Sequence, residues 1–200
     1  ALYWVFNLAS ILLGLMLRRY RSDFAVQTYR ARRELMRQAT VDTLTGLYNR
    51  TGWNRQVPAF LLRAVEEDRS VAVVFFDIDH FKQVNDTHGH AAGDAILRLL
   101  GNTLRRCEDD SCVTARMGGE EFVVVLAARR AADAVAFAER VRARFRSAAA
   151  KYACTVSAGV AVRGPGEELG EAMKRADQAL YLAKAGGRDR VSVAPGPDHG

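Results

Sequence analysis

Cysteine and proline are scarce, with three and four in 200 residues. Three thiols, a small and odd number, exclude a disulfide scaffold and suit reduced side chains in a cytosolic setting. So few prolines beside 16 glycines exclude collagen-like and low-complexity chains. Charge is missing altogether from residues 1–17. The rest is ordinary for a globular chain, 49% hydrophobic and 26% charged, and long enough for one core plus an attachment.

A net charge of +6 and a pI near 9.5 suggest nucleic acid or an anionic membrane surface as partner. The distribution decides between them. Residues 18–37 hold seven arginines against Asp23 and Glu34, a net +5, which leaves +1 for residues 38–200. The globular part is thus nearly neutral, and nucleic-acid binding loses its support. The basic stretch follows the uncharged run 1–17, which is apolar apart from Asn7 and Ser10. As a helix that run spans about 25 Å, slightly under a hydrocarbon core of about 30 Å. It is expected to be the end of a transmembrane helix, residues 1–19, with Tyr3 and Trp4 at the interface and the arginines holding the following chain in the cytoplasm. The chain starts with Ala, so residues upstream are expected. The alternative is an apolar interface helix of a soluble protein. Residues 20–41 are expected to be a helical linker, 42–194 the globular domain and 195–200 a loose tail.

From residue 42 onward the pattern alternates between helix and strand. Residues 71–76 form an apolar, β-branched run that reads as a buried strand ending at Asp77. Ile96, Leu97, Leu100 and Leu104 recur at helical spacing. Residues 112–116 and 122–126 are short strands flanking the hairpin glycines Gly118 and Gly119. A helix stripe on Ala134, Ala138, Val141 and Phe145, a strand on 156–162, a helix on Leu169 to Ala183 and a last strand at 191–193 follow. The expected class is α/β in the α+β sense. Its core is a ferredoxin-like or palm-type β-α-β-β-α-β unit with an additional helix and strand, preceded by the N-terminal helix. In that topology the third strand inserts antiparallel between the first two. The glycine turn then shares a sheet end with Asp77.

At that end gather Asp77, Asp79, Asp86, Asp94, Glu120 and Glu121. Any one of them alone is best explained as a solvated turn residue. Together, beside glycines and basic residues, they suit a hard cation such as Mg²⁺ that keeps positions open for phosphates. A zinc reading of His88 and His90 fails because no cysteine or further histidine lies at suitable spacing.

The motifs DTLTGLYNR (residues 42–50), FDIDHFKQVND (76–86), GHAAGD (89–94), RMGGEEF (116–122), SAGVA (157–161) and ADQALYLAKAGGR (176–188) occur in that order. With these spacings the chain resembles the GGDEF domain of bacterial diguanylate cyclases, here with the GGEEF variant of the signature. The resemblance implies an enzyme, a nucleotidyltransferase that condenses two GTP into cyclic di-GMP and two pyrophosphates in a homodimer. It implies Mg²⁺, or Mn²⁺ in its place, held by Asp77, the Ile78 carbonyl and Glu120, with Glu120 and Glu121 as the catalytic acids. It assigns guanine to Asn85 and Asp94, and phosphate to the backbone amides of Phe81 and Lys82 and to Lys184 and Arg188. Gly118 and Gly119 would let the backbone approach the nucleotide. For Asp42 and Arg50 a structural role is expected, as a capping acid and an ion pair; for Phe75, Phe76 and Phe122, a place in the core. The alternative is a silent GTP-binding or dimerisation module, against which stands the intact Gly118-Gly119-Glu120-Glu121 run.

Two departures stand out. Many members carry Arg-x-x-Asp as a product-inhibition site ahead of the glycines, whereas this chain has Asp109, Asp110, Ser111 and Cys112 there. No inhibition through that site is expected. Asp189 stands where Asn is usual. The setting implied is the bacterial inner membrane, with the catalytic domain in the cytoplasm.

Overall fold

The computed structural model describes residues 16–21, 24, 27, 40–107, 111–128 and 130–196. Two compact units, Ala1–Ala39 and Thr40–Gly200, divide the chain. In the first, residues 16–21 are helical, with Met16, Leu17 and Tyr20 exposed. The expected transmembrane end and linker otherwise lie outside the described residues. Among the described residues no helix is long and apolar enough to cross a membrane.

The second unit is built from α1 (Arg50–Glu66), β1 (Ser70–Ile78), α2 (Phe81–His88), α3 (His90–Cys107), β2 (Cys112–Gly118), β3 (Glu121–Ala128), α4 (Ala131–Ala148), β4 (Val156–Val162), α5 (Leu169–Ala185) and β5 (Val191–Val193). The sheet order is β2-β3-β1-β4-β5. β1 is antiparallel to both β3 and β4, and β5 adds parallel to β4. This is the expected split β-α-β core, extended by α5 and β5.

Pleating sorts the side chains, because successive residues of a strand face opposite sides. Ala72, Val74, Phe76 and Ile78 of β1 pack with Phe122 and Val124 under α3 and α4. Val71 and Val73 pack with Val123 and Val125 under α1 and α5. Phe76 and Phe122 are fully enclosed, and Phe75 is half-buried. The same alternation turns Asp77 toward the α5 side.

The crossover between β1 and β2 holds two helices where the spacing showed one. α2 presents a single buried residue, Val84, too little for a stripe. His80 before it is left-handed (φ 56°), and Gly89 (φ 80°) separates it from α3. The loop entering α1 is held by Asp42, which accepts from the Thr45 amide (2.8 Å) and hydroxyl (2.6 Å). Asn49 caps α1 by accepting from the Gly52 amide at 2.9 Å. The residue that caps α1 is Asn49 rather than the expected Asp42, and the ion partner of Asp42 is Arg116, at 3.2 Å, rather than Arg50. Arg116 reaches it from the neighbouring strand β2, 74 residues along the chain.

Cys154 is 3% exposed, and burial, aided by the charge of Asp79, pushes its thiol up to about 11. Only the thiolate alkylates readily. Alkylation at pH 8 followed by mass mapping is expected to leave Cys154 unmodified in the native chain and to label it in urea; labelling of the native protein would contradict this burial.

Candidate active site

The site grows from one end of the central strand pair. Asp77 and Glu121 are cross-strand partners in the β1–β3 register. Gly119 and Glu120 form the turn between β2 and β3, with Gly118 opposite Glu121. Gly118 (φ 152°) and Gly119 (φ 50°) both lie where a β-carbon is disfavoured, which is why the turn needs glycine. Among the described residues, a Cβ at either would meet nothing within 4 Å. The backbone here therefore borders open space, as a close approach by a ligand requires.

Asp77 is 6% exposed. Burial holds its carboxyl above the usual range; the Lys184 ammonium, 2.8 Å away, pulls it down, and the charges of Glu120 and Glu121 push it up again. The position thus carries more negative charge than its one cation offsets. A hard dication would relieve that excess, and two carboxylates with a strand-end carbonyl at Ile78 are a suitable donor set. Among the described residues no group of three or more His, Cys, Asp or Glu side chains stands ready to hold a metal ion. The expected ligand set includes only two such side chains, Asp77 and Glu120.

Phe81 and Lys82 are the first two residues of α2, so their amides have no acceptor within the helix and face outward at its positive end. This geometry suits an anion. Asn85, on the same helix, lies against Gly93 of α3. A Cβ at Gly93 would overlap the Asn85 side-chain oxygen and crowd Phe81. Asp94 follows Gly93 and stays half-exposed, 4.0 Å from Arg98. The two expected guanine readers are thus neighbours, brought together by a glycine. Lys184 sits in the last turn of α5, and Arg188 in the loop after it is left-handed (φ 63°).

Three roles had no local signal. Arg116 donates to the Gly119 carbonyl from Nε (2.9 Å) and Nη2 (2.7 Å) while pairing with Asp42. It ties the glycine turn to the loop before α1. Burial alone would raise the Asp42 carboxyl, but Thr45 and Arg116 outweigh it and hold it below its ordinary value. Asp79 is 3% exposed and fully engaged: it accepts from the Thr155 and Ser157 hydroxyls, each at 2.7 Å, and from the Asp189 amide at 3.1 Å. It is a structural carboxylate rather than one of the converging acids. Asp189 in turn binds Arg142 (2.7 Å) and Arg146 (2.9 Å) of α4. Asp109 and Asp110, at the expected gap in the inhibition motif, lie outside the described residues.

Comparisons with known proteins bear on the family and the fold. The family described as "Diguanylate cyclase, GGDEF domain" matches residues 39–190. Diguanylate cyclase DgcP of Pseudomonas aeruginosa is 40% identical over 163 residues, 78% of this chain and 24% of the relative. The crystal structure of the GGDEF domain of DgcB from Caulobacter crescentus in complex with c-di-GMP superposes with a TM-score of 0.71 at 36% identity, covering 78% of this chain and 95% of that one. The structure of the active GGEEF domain of a diguanylate cyclase from Vibrio cholerae gives 0.64 at 33% identity, covering 68% and 90%. The chain spans between about a quarter and about half of the length of curated relatives it matches. It belongs to the family of diguanylate cyclase GGDEF domains.

Proposed function

We propose that residues 42–194 form a diguanylate cyclase. Two copies face each other, each holding one GTP. The 3′-hydroxyl of each nucleotide attacks the α-phosphate of the other; a new phosphodiester bond forms, the α–β bridging bond breaks and pyrophosphate leaves. Two turnovers of this step close cyclic di-GMP and release two pyrophosphates. The observation that carries the reading is the buried, negatively overloaded Asp77 in register with Glu121 beside a glycine turn that opens onto free space.

Mg²⁺, or Mn²⁺ in its place, would be held by Asp77, the Ile78 carbonyl and Glu120, and would supply charge neutralisation at the transferring phosphate. The chain's own groups do the rest. Glu120 takes the proton of the attacking hydroxyl, with Glu121 next to it at the start of β3. The first amides of α2, at Phe81 and Lys82, hold phosphate oxygens. Lys184 exchanges its contact with Asp77 for the terminal phosphates, joined there by Arg188. Asp94 accepts from guanine N1–H and N2–H, and Asn85 serves N3 or N2.

A consequence concerns Gly93. Replacement by Ala pushes Asn85 aside without touching the sheet, so Gly93→Ala should raise KM for GTP about ten-fold, about 1.4 kcal/mol, at nearly unchanged Tm. Steady-state kinetics beside a thermal melt measure both; an unchanged KM would remove Asn85 from guanine binding.

The same reading puts the domain on the cytoplasmic side of a bacterial inner membrane. Its support is the uncharged run 1–17 followed by the net +5 of residues 18–37. Sedimentation of the full chain with membranes, resistant to high salt, is expected; release by salt would argue against insertion.

The chain incubated with GTP and Mg²⁺ should yield cyclic di-GMP, and Glu120→Ala should abolish it with the circular dichroism unchanged. GTP binding without product would make the domain a silent nucleotide-binding or dimerisation module. Neither binding nor product would remove the reading altogether.

A further inference from the structure

Asp189 lies outside the residues assigned to nucleotide or metal, yet it is the point where three elements meet. The loop after α5 turns through Gly186 and Gly187 and then through two consecutive non-glycine residues in left-handed backbone, Arg188 (φ 63°) and Asp189 (φ 46°). A β-carbon disfavours that conformation, so the surroundings must impose it. Two holds act at Asp189. Its amide donates to Asp79 at 3.1 Å, and Asp79 is itself fixed by Thr155 and Ser157 at the start of β4. Its carboxylate takes one guanidinium on each oxygen, Arg142 on Oδ1 at 2.7 Å and Arg146 on Oδ2 at 2.9 Å. Arg142 also donates to the Asp189 carbonyl at 3.2 Å, and Glu139 steadies it from one helical turn earlier at 2.8 Å.

These contacts have a direction. Arg142 and Arg146 stand on α4, which packs on the sheet face opposite α5. The loop they grip begins at Gly186, two residues beyond Lys184, and Asp79 follows the end of β1, two residues from Asp77. The Arg188 amide closes the end of α5 by donating to the Ala183 carbonyl at 3.0 Å. A shift of the loop at Asp189 therefore moves Arg188 directly and Lys184 through the helix end. An Asn at 189 could keep the left-handed backbone and the size, but it has no charge to hold two guanidinium groups.

We propose that Asp189 is a positioning residue for GTP: its carboxylate, clamped by Arg142 and Arg146 of α4, fixes the loop that presents Arg188 and Lys184 to the triphosphate. The proposal rests on the cyclase reading for the ligand. It adds that the phosphate-binding end is held from the far face of the sheet.

The test compares Asp189→Asn, Arg142→Met, Arg142→Lys and the double variant Asp189→Asn/Arg142→Met in the full chain. Both GTP Kd by calorimetry and the KM and kcat of cyclic di-GMP synthesis are measured, with Tm as the folding control. Each of the two single changes that break the clamp should raise Kd and KM about five-fold, with kcat within about two-fold. Arg142→Lys should stay within about two-fold of the parent. The double variant should match Asp189→Asn, near five-fold, because Asp189→Asn already removes the charge that Arg142 holds. Unchanged Kd in Asp189→Asn and Arg142→Met, or effects that multiply to about 25-fold in the double variant, would overturn the proposal. If Asp189→Asn lowers Tm markedly, the Arg142→Met and Arg142→Lys pair still decides it, since Arg142 belongs to α4 and its replacement leaves the left-handed residues themselves unchanged. A parent chain that binds GTP and makes no product would end the cyclase reading and leave the clamp to be judged by Kd. A parent chain that does not bind GTP would end both.

Discussion

Asp77→Asn should abolish cyclic di-GMP synthesis and at the same time raise the Tm of the metal-free, nucleotide-free chain. The loss of activity follows from the role proposed for the carboxylate: a ligand whose charge holds a Lewis acid at the transferring phosphate is worth several kcal/mol of transition-state stabilisation, about 10³-fold or more in rate. The gain in stability follows from the cost of the same charge at rest. Burial is the largest influence on Asp77 and raises its carboxyl above the ordinary value; Glu120 and Glu121 act in the same direction, and Lys184 offsets them only in part. An acid whose pKa rises on folding binds its proton more readily folded than unfolded, so its ionised form at neutral pH costs stability. In the parent chain stability should therefore increase as pH falls from the folded value of Asp77 toward its ordinary 3.8, and Asp77→Asn should flatten that part of the curve. A lower Tm for Asp77→Asn would show that the Lys184 pair outweighs the burial, and residual synthesis near the parent rate would remove Asp77 from the site.

The second large effect concerns packing. Gly159 lies in β4 and faces α5. A Cβ there would overlap the Ala176 carbonyl oxygen and the Leu180 amide nitrogen, both main-chain atoms that no rotamer change can move. β4 and α5 must separate or α5 must slide. Overpacking of this kind costs typically about 1–3 kcal/mol, and backbone on both sides puts Gly159→Ala at the upper end. For a chain of this size that corresponds to a fall in Tm of about 6–12 °C. Because α5 carries Lys184 and leads into Arg188, any Gly159→Ala protein that still folds should also bind GTP more weakly. A Tm within about 2 °C of the parent would contradict the contact. The glycine of the SAGVA motif is thus explained by helix–strand approach alone.

Much of the fold was legible because burial leaves a local trace. The apolar runs at β1, β3 and β4 and the stripes of α3, α4 and α5 carry their periods in neighbouring residues. The hairpin glycines fixed the reversal that sets Asp77 against Glu121. α2 was not legible: eight residues with one buried side chain leave no period to detect, and its limits come from the left-handed His80 and Gly89. The candidate site divides in the same way. The motif spacings pointed to Asp77, Asn85, Asp94, Glu120, Lys184 and Arg188. They did not show that Lys184 rests on Asp77, or that Asp42 pairs with Arg116 instead of Arg50. Nor did they separate Asp79 from its acidic neighbours. Its hydroxyl partners stand on the far side of the chain, 76 and 78 residues away, and the Asp189 amide 110 away. A buried carboxylate satisfied by tertiary contacts looks, in one dimension, the same as a ligand.

The most direct test of the cyclase account is the stoichiometry and order of the reaction. The chain is mixed with GTP and Mg²⁺ over a range of protein concentrations, and cyclic di-GMP and pyrophosphate are quantified together. Two pyrophosphates are expected for each cyclic di-GMP, with a rate per domain that rises with protein concentration until the paired state saturates. GTP consumed without cyclic di-GMP, or no product at concentrations where the domain is shown to be paired, would contradict the cyclase reading.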